Sequence, residues 1–202
     1  MKILALSDQV STIIHGSSLK KHFRDIDLIV GCGDLPASYL EYVVSVLNVP
    51  LVYVPGNHDP DRYIIPGGEN VDGRIVEVNG KLIAGLGGSI RYKPKGKHQY
   101  TEGEMRLKVS LLIARFMIRT GGRRPLDLLI THSPPSGIHD GGDPAHTGFS
   151  AFHPLLKIIK PDFMLHGHMH ILPNIHRTET ICYSSIIMNV FPYRRVEIPL
   201  QA

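Results

Sequence analysis

The sequence predicts an α/β fold, a mainly parallel sheet covered by helices, and three observations predict it. The N-terminal third alternates short apolar runs with helical apolar spacing, a β-α-β-α-β succession that favours parallel strands packed under helices. Clusters of Asp, Asn, Gly and His follow several apolar runs, at the carboxyl edge where open α/β sheets bind their ligands. The chain has 202 residues, 43% hydrophobic and 20% charged, which suits a single globular domain spanning 1–202.

Each element has a local reason. Residues 2–7 (KILALS) and 27–31 (DLIVG) read as buried strands, with a short helix over 19–24 capped by Ser17 or Ser18 between them. Residues 36–47 place Tyr39, Leu40, Val43, Val44 and Leu47 on one helical face, and Pro36 suits the first turn. Residues 51–54 form the next strand. Asn79-Gly80 between 74–78 and 81–85 is a two-residue hairpin signal. Residues 91–97 are polar and basic, hence an exposed loop. Thr101 and Glu104 make a capping-box pattern for a helix to about residue 119, with Val109, Leu112, Ile113, Phe116 and Met117 as its apolar face and Gly121-Gly122 as its stop. A strand over 126–131 leads into a Pro-, Gly- and His-rich segment, 132–148, of a length that is usually functional. A helix over 151–159, a strand over 162–165 and antiparallel strands over 180–190 and 195–200 complete the chain.

Composition narrows the partners. With 22 Lys and Arg against 18 Asp and Glu the net charge is +4, a mild surplus that solvated lysines explain without nucleic acid. No apolar run reaches the roughly 20 residues that span a bilayer, and the N-terminal run turns acidic too soon for a signal peptide. Cys32 and Cys182 are too few for a disulfide framework or a thiolate zinc site, and Cys32 reads as core packing. A cytoplasmic protein is expected. Histidine stands out, with 12 copies, eight of them between His132 and His176.

The chemistry sits in five clusters: Asp8; Gly33-Asp34; Gly56-Asn57-His58-Asp59; His132; and His166-Gly167-His168-Met169-His170. Mixed oxygen and nitrogen ligands suit Mn, Fe, Co, Ni or Zn and not an all-oxygen calcium cage. A carboxylate between two such ions can bridge them, and the pair binds phosphoryl oxygens and acidifies a shared water. Phosphate-ester hydrolysis is the natural use. Taken singly, Asp8 could be a helix cap and Gly33-Asp34 a turn; their joint placement argues for a site.

In order and spacing these clusters, from Asp8 to His170, resemble the calcineurin-like metallophosphoesterase superfamily. The resemblance implies a four-layer αββα sandwich, two mixed sheets flanked by helices, and two divalent transition-metal ions. It implies that Asp8, Asp34 and His170 hold the first metal and that Asp34, Asn57, His132 and His168 hold the second, with Asp34 bridging. His58 would protonate the leaving oxygen, oriented by Asp59, after attack by a hydroxide held between the metals. One position departs from the pattern. The usual Asp-x-His is Asp8-Gln9-Val10 here, and Val10 cannot ligate, so the first metal is expected to be weaker, with water or His15 in the gap.

Other residues have lesser claims. His139, Asp140, Asp143 and His146 in the long loop, and Arg91 in the basic loop, are substrate-binding candidates, and loop solvation is their plain alternative. The seven-residue recurrence of His132, His139, His146 and His153 is not a helix, because Pro134, Pro135 and Pro144 interrupt it. His166 precedes the Gly-His-x-His pattern and reads as a packed residue that supports its neighbours. Gly85-Leu86-Gly87-Gly88-Ser89 lacks the Gly-Lys-Ser/Thr ending of a nucleotide-triphosphate loop. The expected function is a phosphoesterase acting on a small phosphomonoester, phosphodiester or nucleotide. A nuclease or cyclic-nucleotide phosphodiesterase on the same fold is a variant of that reading. A non-catalytic scaffold, like the retromer subunit that resembles these enzymes, is the rival, and Val10 is what supports it.

Overall fold

The computed structural model describes residues 1–170 and 177–199; His176 and Leu200, the end of the last predicted strand, lie outside them. In chain order the elements are β1 (Lys2–Leu6), α1 (Leu19–Phe23), β2 (Leu28–Gly31), α2 (Ala37–Leu47), β3 (Leu51–Tyr53), β4 (Gly68–Asn70), β5 (Ile75–Val78) and β6 (Lys81–Leu86). They continue with β7 (Ser89–Ile90), β8 (Gln99–Tyr100), α3 (Glu102–Thr120), β9 (Leu128–Thr131), α4 (Phe152–Ile159), β10 (Phe163–His166), β11 (Glu179–Cys182), β12 (Ser185–Asn189) and β13 (Tyr193–Glu197).

Two mixed sheets result. The first has the order β13-β1-β2-β3-β4, with β1 to β4 parallel and β13 antiparallel to β1. The second has the order β11-β12-β10-β9-β6-β5, parallel at its centre and antiparallel at both edges. Strand alternation shows how they stack, because successive side chains point to opposite faces. Ile3, Ala5, Leu28 and Val30 of the first sheet share one core with Ile83, Leu128, Ile130 and Leu165 of the second. Their sequence neighbours face away. Leu4, Leu6 and Ile29 pack with Leu19, Leu40 and Val43 of α1 and α2. Leu82, Leu129 and Met164 pack with Val109, Leu112, Leu155 and Leu156 of α3 and α4. The layers therefore run helices, sheet, sheet, helices, the expected four-layer sandwich.

Local chemistry sets the element ends. Asn79 (φ 51°) and Gly80 (φ 76°) turn the β5–β6 hairpin. The Thr101 side chain accepts the Glu104 N–H, and the Glu104 carboxylate accepts the Thr101 N–H, so α3 starts on the predicted capping box. Gly121 (φ 58°) ends that helix.

Three expectations need correction. The buried face of α3 is Met105, Val109, Leu112 and Phe116, at spacings of four, three and four residues, whereas Met117 is 45% exposed. Neither serine before α1 caps through its side chain as expected: α1 follows Ser18, whose own backbone is helical (φ −84°, ψ −8°). The strand expected over 180–190 is not one strand. It folds back at Tyr183 (φ 54°) into the β11–β12 hairpin, and β13 then joins the other sheet. No described helix is long and apolar enough to cross a membrane.

At the amino ends of β6 and β9 an ion pair is buried. Lys81 and Asp127 are 5% and 1% exposed, their charges are 2.9 Å apart, and the second Asp127 oxygen accepts the Leu82 N–H at 2.8 Å. Removing one partner strands the other charge, so Lys81→Met should cost about 3–5 kcal/mol in urea unfolding. A loss below about 1 kcal/mol would show that the pair does not anchor these strands.

Candidate metal centre

Because β1, β2 and β3 end beside β9 and β10, five polar segments reach one rim at the seam of the two sheets. The chain turns sharply there. Asp8, Asp34 and His168 all take left-handed backbone conformations, with φ of 62°, 57° and 66°. Such conformations cost side-chain-bearing residues energy and cluster where function demands them. Gly56 allows the closest approach: a Cβ there would overlap the Asp34 carboxylate. Gly33 (φ 91°) would place a Cβ 2.7 Å from the His132 ring.

Asp8, Asp34, His132 and His168 each offer one ligand atom, and these atoms all lie within 4.8 Å of one another. His132 explains what the cluster needs. It is fully buried, and its Nδ1 lies 2.7 Å from the Cys32 carbonyl oxygen. A carbonyl only accepts, so Nδ1 carries the hydrogen and Nε2 of the neutral ring carries a lone pair. That Nε2 faces Asn57 Oδ1 at 3.0 Å and Asp34 Oδ2 at 3.4 Å. The Asn57 amide nitrogen is spent as a donor to the Tyr92 hydroxyl at 3.2 Å. Electron pairs thus converge on a buried point that demands a positive charge. Burial works against ionising His132, yet the Asp34 charge and hydrogen bond outweigh it and push the imidazole up to about 9. Asp34 likewise resists the effect of its burial and is held down at about 2, chiefly by His132.

The other candidate ligands are tied as tightly. Asp8 Oδ2 accepts the His168 N–H at 2.9 Å, across the sheet seam. Burial raises the Asp8 carboxyl above its ordinary range, against the pull of His132. His168 donates from Nε2 to the Ala145 carbonyl at 2.8 Å, which leaves Nδ1 with the free lone pair. Burial and the His132 charge press His168 down to about 3, so it stays neutral and able to ligate. Two carboxylates and two neutral-capable imidazoles, with an amide oxygen beside them, fit a divalent transition metal. A cavity of about 310 Å³ opens over the cluster, with Asn57, His58, Tyr92, His146 and His170 among its walls.

Several expected roles are placed differently. Asp59 does not orient the His58 ring: its Oδ2 accepts the N–H groups of Asp34 at 2.9 Å and Gly56 at 2.8 Å, and it bonds no His58 ring atom among the described residues. It fixes the turn that carries the ligands, and burial raises its carboxyl to about 6. His170 stands at the rim, 61% exposed and 3.9 Å from Asp8, its ring stacked on Phe191. His15 packs edge-on against Tyr39 and Tyr42 and is not part of the ligand cluster, so it does not fill the gap at Val10. Arg91 turns to the Gln99 carbonyl and to Glu104, tying β8 to α3 and leaving the cavity. His139, whose backbone is left-handed (φ 56°), bonds His166 Nε2 at 3.0 Å and Thr180 at 2.9 Å and is not among the cavity walls. Asp143 is not in the cavity wall; its carboxylate holds His146, which is. Tyr92, which the sequence places only within the exposed loop over 91–97, lines the cavity and bonds Asn57.

A family model and one solved structure agree with this architecture. A family model described as calcineurin-like phosphoesterase matches residues 1–172. No curated protein matches the sequence. One crystal structure is 13% identical, with 98% of this chain and 99% of the other covered and a TM-score of 0.66. An archaeal phosphodiesterase is 12% identical over 97% of this chain and 99% of its own, with a TM-score of 0.42. A single-mutant Vps29 from Entamoeba histolytica is 14% identical over 94% and 73%, also at 0.42. At such identities the first likeness speaks for the fold alone.

The packing of Gly56 generates a test. Gly56→Ala should displace Asp34 and weaken Mn²⁺ binding at least tenfold by calorimetry, about 1.4 kcal/mol. Gly142→Ala, where an added Cβ meets nothing within 4 Å, should leave that affinity unchanged. Equal affinities in the two variants would refute the close approach.

Proposed function

The chain belongs to the calcineurin-like phosphoesterase family, and from that premise we propose that it is a metal-dependent hydrolase of small phosphomonoesters or phosphodiesters, working as one domain over 1–202. The observation that carries the reading is the lone-pair convergence of His132 Nε2, Asn57 Oδ1 and Asp34 Oδ2 beneath an open cavity. Two divalent ions drawn from Mn, Fe, Ni, Co or Zn fit this set. Asp8, Asp34 and His170 would hold one; Asp34, Asn57, His132 and His168 would hold the other. When bound, such ions polarise phosphoryl oxygens and lower the pKa of water.

The chain's own residues do the rest. The Cys32 carbonyl holds His132 in the tautomer that ligates through Nε2, as a supporting acceptor commonly does for a metal-binding imidazole. Asp59 holds the backbone of Asp34 and Gly56 in register with the rim. His58 donates its backbone N–H to Asp34 Oδ1 at 2.8 Å, which anchors the residue while its ring remains 68% exposed at the cavity wall. We assign that ring the proton for the leaving oxygen. Val10 leaves the first ion with fewer protein ligands, so that site is the weaker. Val10 is also what favours the second reading, a metal-binding scaffold on the same fold; the ring of His58 in the cavity favours the enzyme.

Two variants separate these readings. His58→Ala should keep Mn²⁺ content at the wild-type level and cut hydrolysis of bis(p-nitrophenyl) phosphate by about 10²–10⁴, the span of a positioned acid–base group. Asp34→Asn should release both metals together, read by elemental analysis of the purified protein. Unchanged turnover in the first variant refutes the role of His58, and full metal content in the second refutes the bridge.

A further inference from the structure

Within the long loop after β9, one carboxylate organises one imidazole at the cavity. Asp143 Oδ1 accepts the backbone N–H of Ala145 at 2.9 Å and of His146 at 3.2 Å. Its other oxygen takes the His146 ring at Nδ1, 2.7 Å away. The same stretch is tied a second time, because the Ala145 carbonyl accepts from His168 and the His146 ring lies over the His168 ring, centroids 5.2 Å apart. His146 is therefore held both by its own loop and by a residue of the metal centre. A carboxylate only accepts, so the Nδ1 of His146 carries a hydrogen; a phosphoryl oxygen also only accepts, so the ring would meet it through an Nε2–H, as an imidazolium held between Asp143 and the anion. Among the described residues nothing bonds that Nε2, and His146 lines the cavity with 43% of its side chain exposed.

We infer that His146 contacts the phosphoryl group of the substrate and that Asp143 is the positioning residue that aims it. The inference rests on the phosphoesterase reading and deepens it by naming the side chain that grips the anion beside the metals. A ring fixed before binding loses little rotamer freedom when the ligand arrives, which is what an Asp–His pair on an otherwise irregular loop achieves. The bond that matters is Oδ2 to Nδ1, because the turn itself uses Oδ1.

The test uses the Mn²⁺-loaded full chain. Inorganic phosphate binding is read by calorimetry, and hydrolysis of bis(p-nitrophenyl) phosphate by steady-state kinetics. His146→Ala should weaken phosphate binding and raise KM by about 10- to 100-fold, the loss of one hydrogen bond to a charged group. It should leave kcat within about threefold and Mn²⁺ content unchanged, the pattern of lost uniform binding. Asp143→Asn keeps an oxygen for the turn but alters the partner of Nδ1, so it should move the same two constants in the same direction by less. Phosphate affinity unchanged in His146→Ala overturns the contact, and loss of Mn²⁺ in that variant does so too, by making His146 a support of the metal centre. Asp143→Asn behaving as wild type overturns the positioning role. If the wild-type chain hydrolyses no ester, the phosphoesterase reading falls by itself, and the phosphate affinities still decide the role of His146.

Discussion

A buried point where lone pairs meet is the constraint on which the rest of the site depends. His132 has its Nδ1 hydrogen committed to a carbonyl, and its Nε2 faces an amide oxygen and a carboxylate with no hydrogen between them in the neutral state. Burial makes such an arrangement unfavourable unless a positive charge closes it. A proton can do so, and the upward push on His132 expresses that demand. A divalent ion would do it better, because it would satisfy Asp34, Asn57, His132 and His168 at once, and none of these would then need to change protonation state beyond what neutral imidazole and ionised carboxylate already provide.

The four-layer architecture exists in service of that point. Neither sheet alone could build it. The first sheet delivers Asp8, Asp34 and Asn57 from the ends of β1, β2 and β3, and the second delivers His132 and His168 from the ends of β9 and β10. The bonds that fix the candidate ligands are also the bonds that cross the seam: His132 to the Cys32 carbonyl, and the His168 N–H to Asp8. Packing between the sheets and geometry at the rim are therefore coupled, and the apolar core between Ile3, Val30, Leu128 and Leu165 holds together the two edges whose Asp8, Asp34, His132 and His168 atoms lie within 4.8 Å of one another.

The sequence made most of this legible, because its signals were local. Alternating apolar runs, the Asn79-Gly80 turn and the Thr101–Glu104 cap each specify an element through its own few residues, and all three reappear in the structure. The grouping of Asp8, Asp34, His132 and His168 was also legible, since residues just past parallel strands must share an edge. Other features were hidden because they depend on contacts between distant segments. That Arg91 would turn to Glu104, that His139 would face His166, or that Asp59 would hold two backbone N–H groups follows from tertiary placement and left-handed turns. Spacing carries no trace of these. The β4, β7 and β8 strands are too short for periodicity to register, and the switch of β13 to the other sheet is a matter of chain path.

Diffraction from crystals grown in Mn²⁺, recorded at a wavelength where manganese scatters anomalously, tests the central claim most directly. A peak bounded by Asp34, Asn57, His132 and His168 is expected, with a weaker one bounded by Asp8, Asp34 and His170, where Val10 removes a ligand. No anomalous peak at His132 Nε2 in saturating Mn²⁺, with that nitrogen still hydrogen-bonded to Asn57, would show that a proton and not a metal closes the cluster.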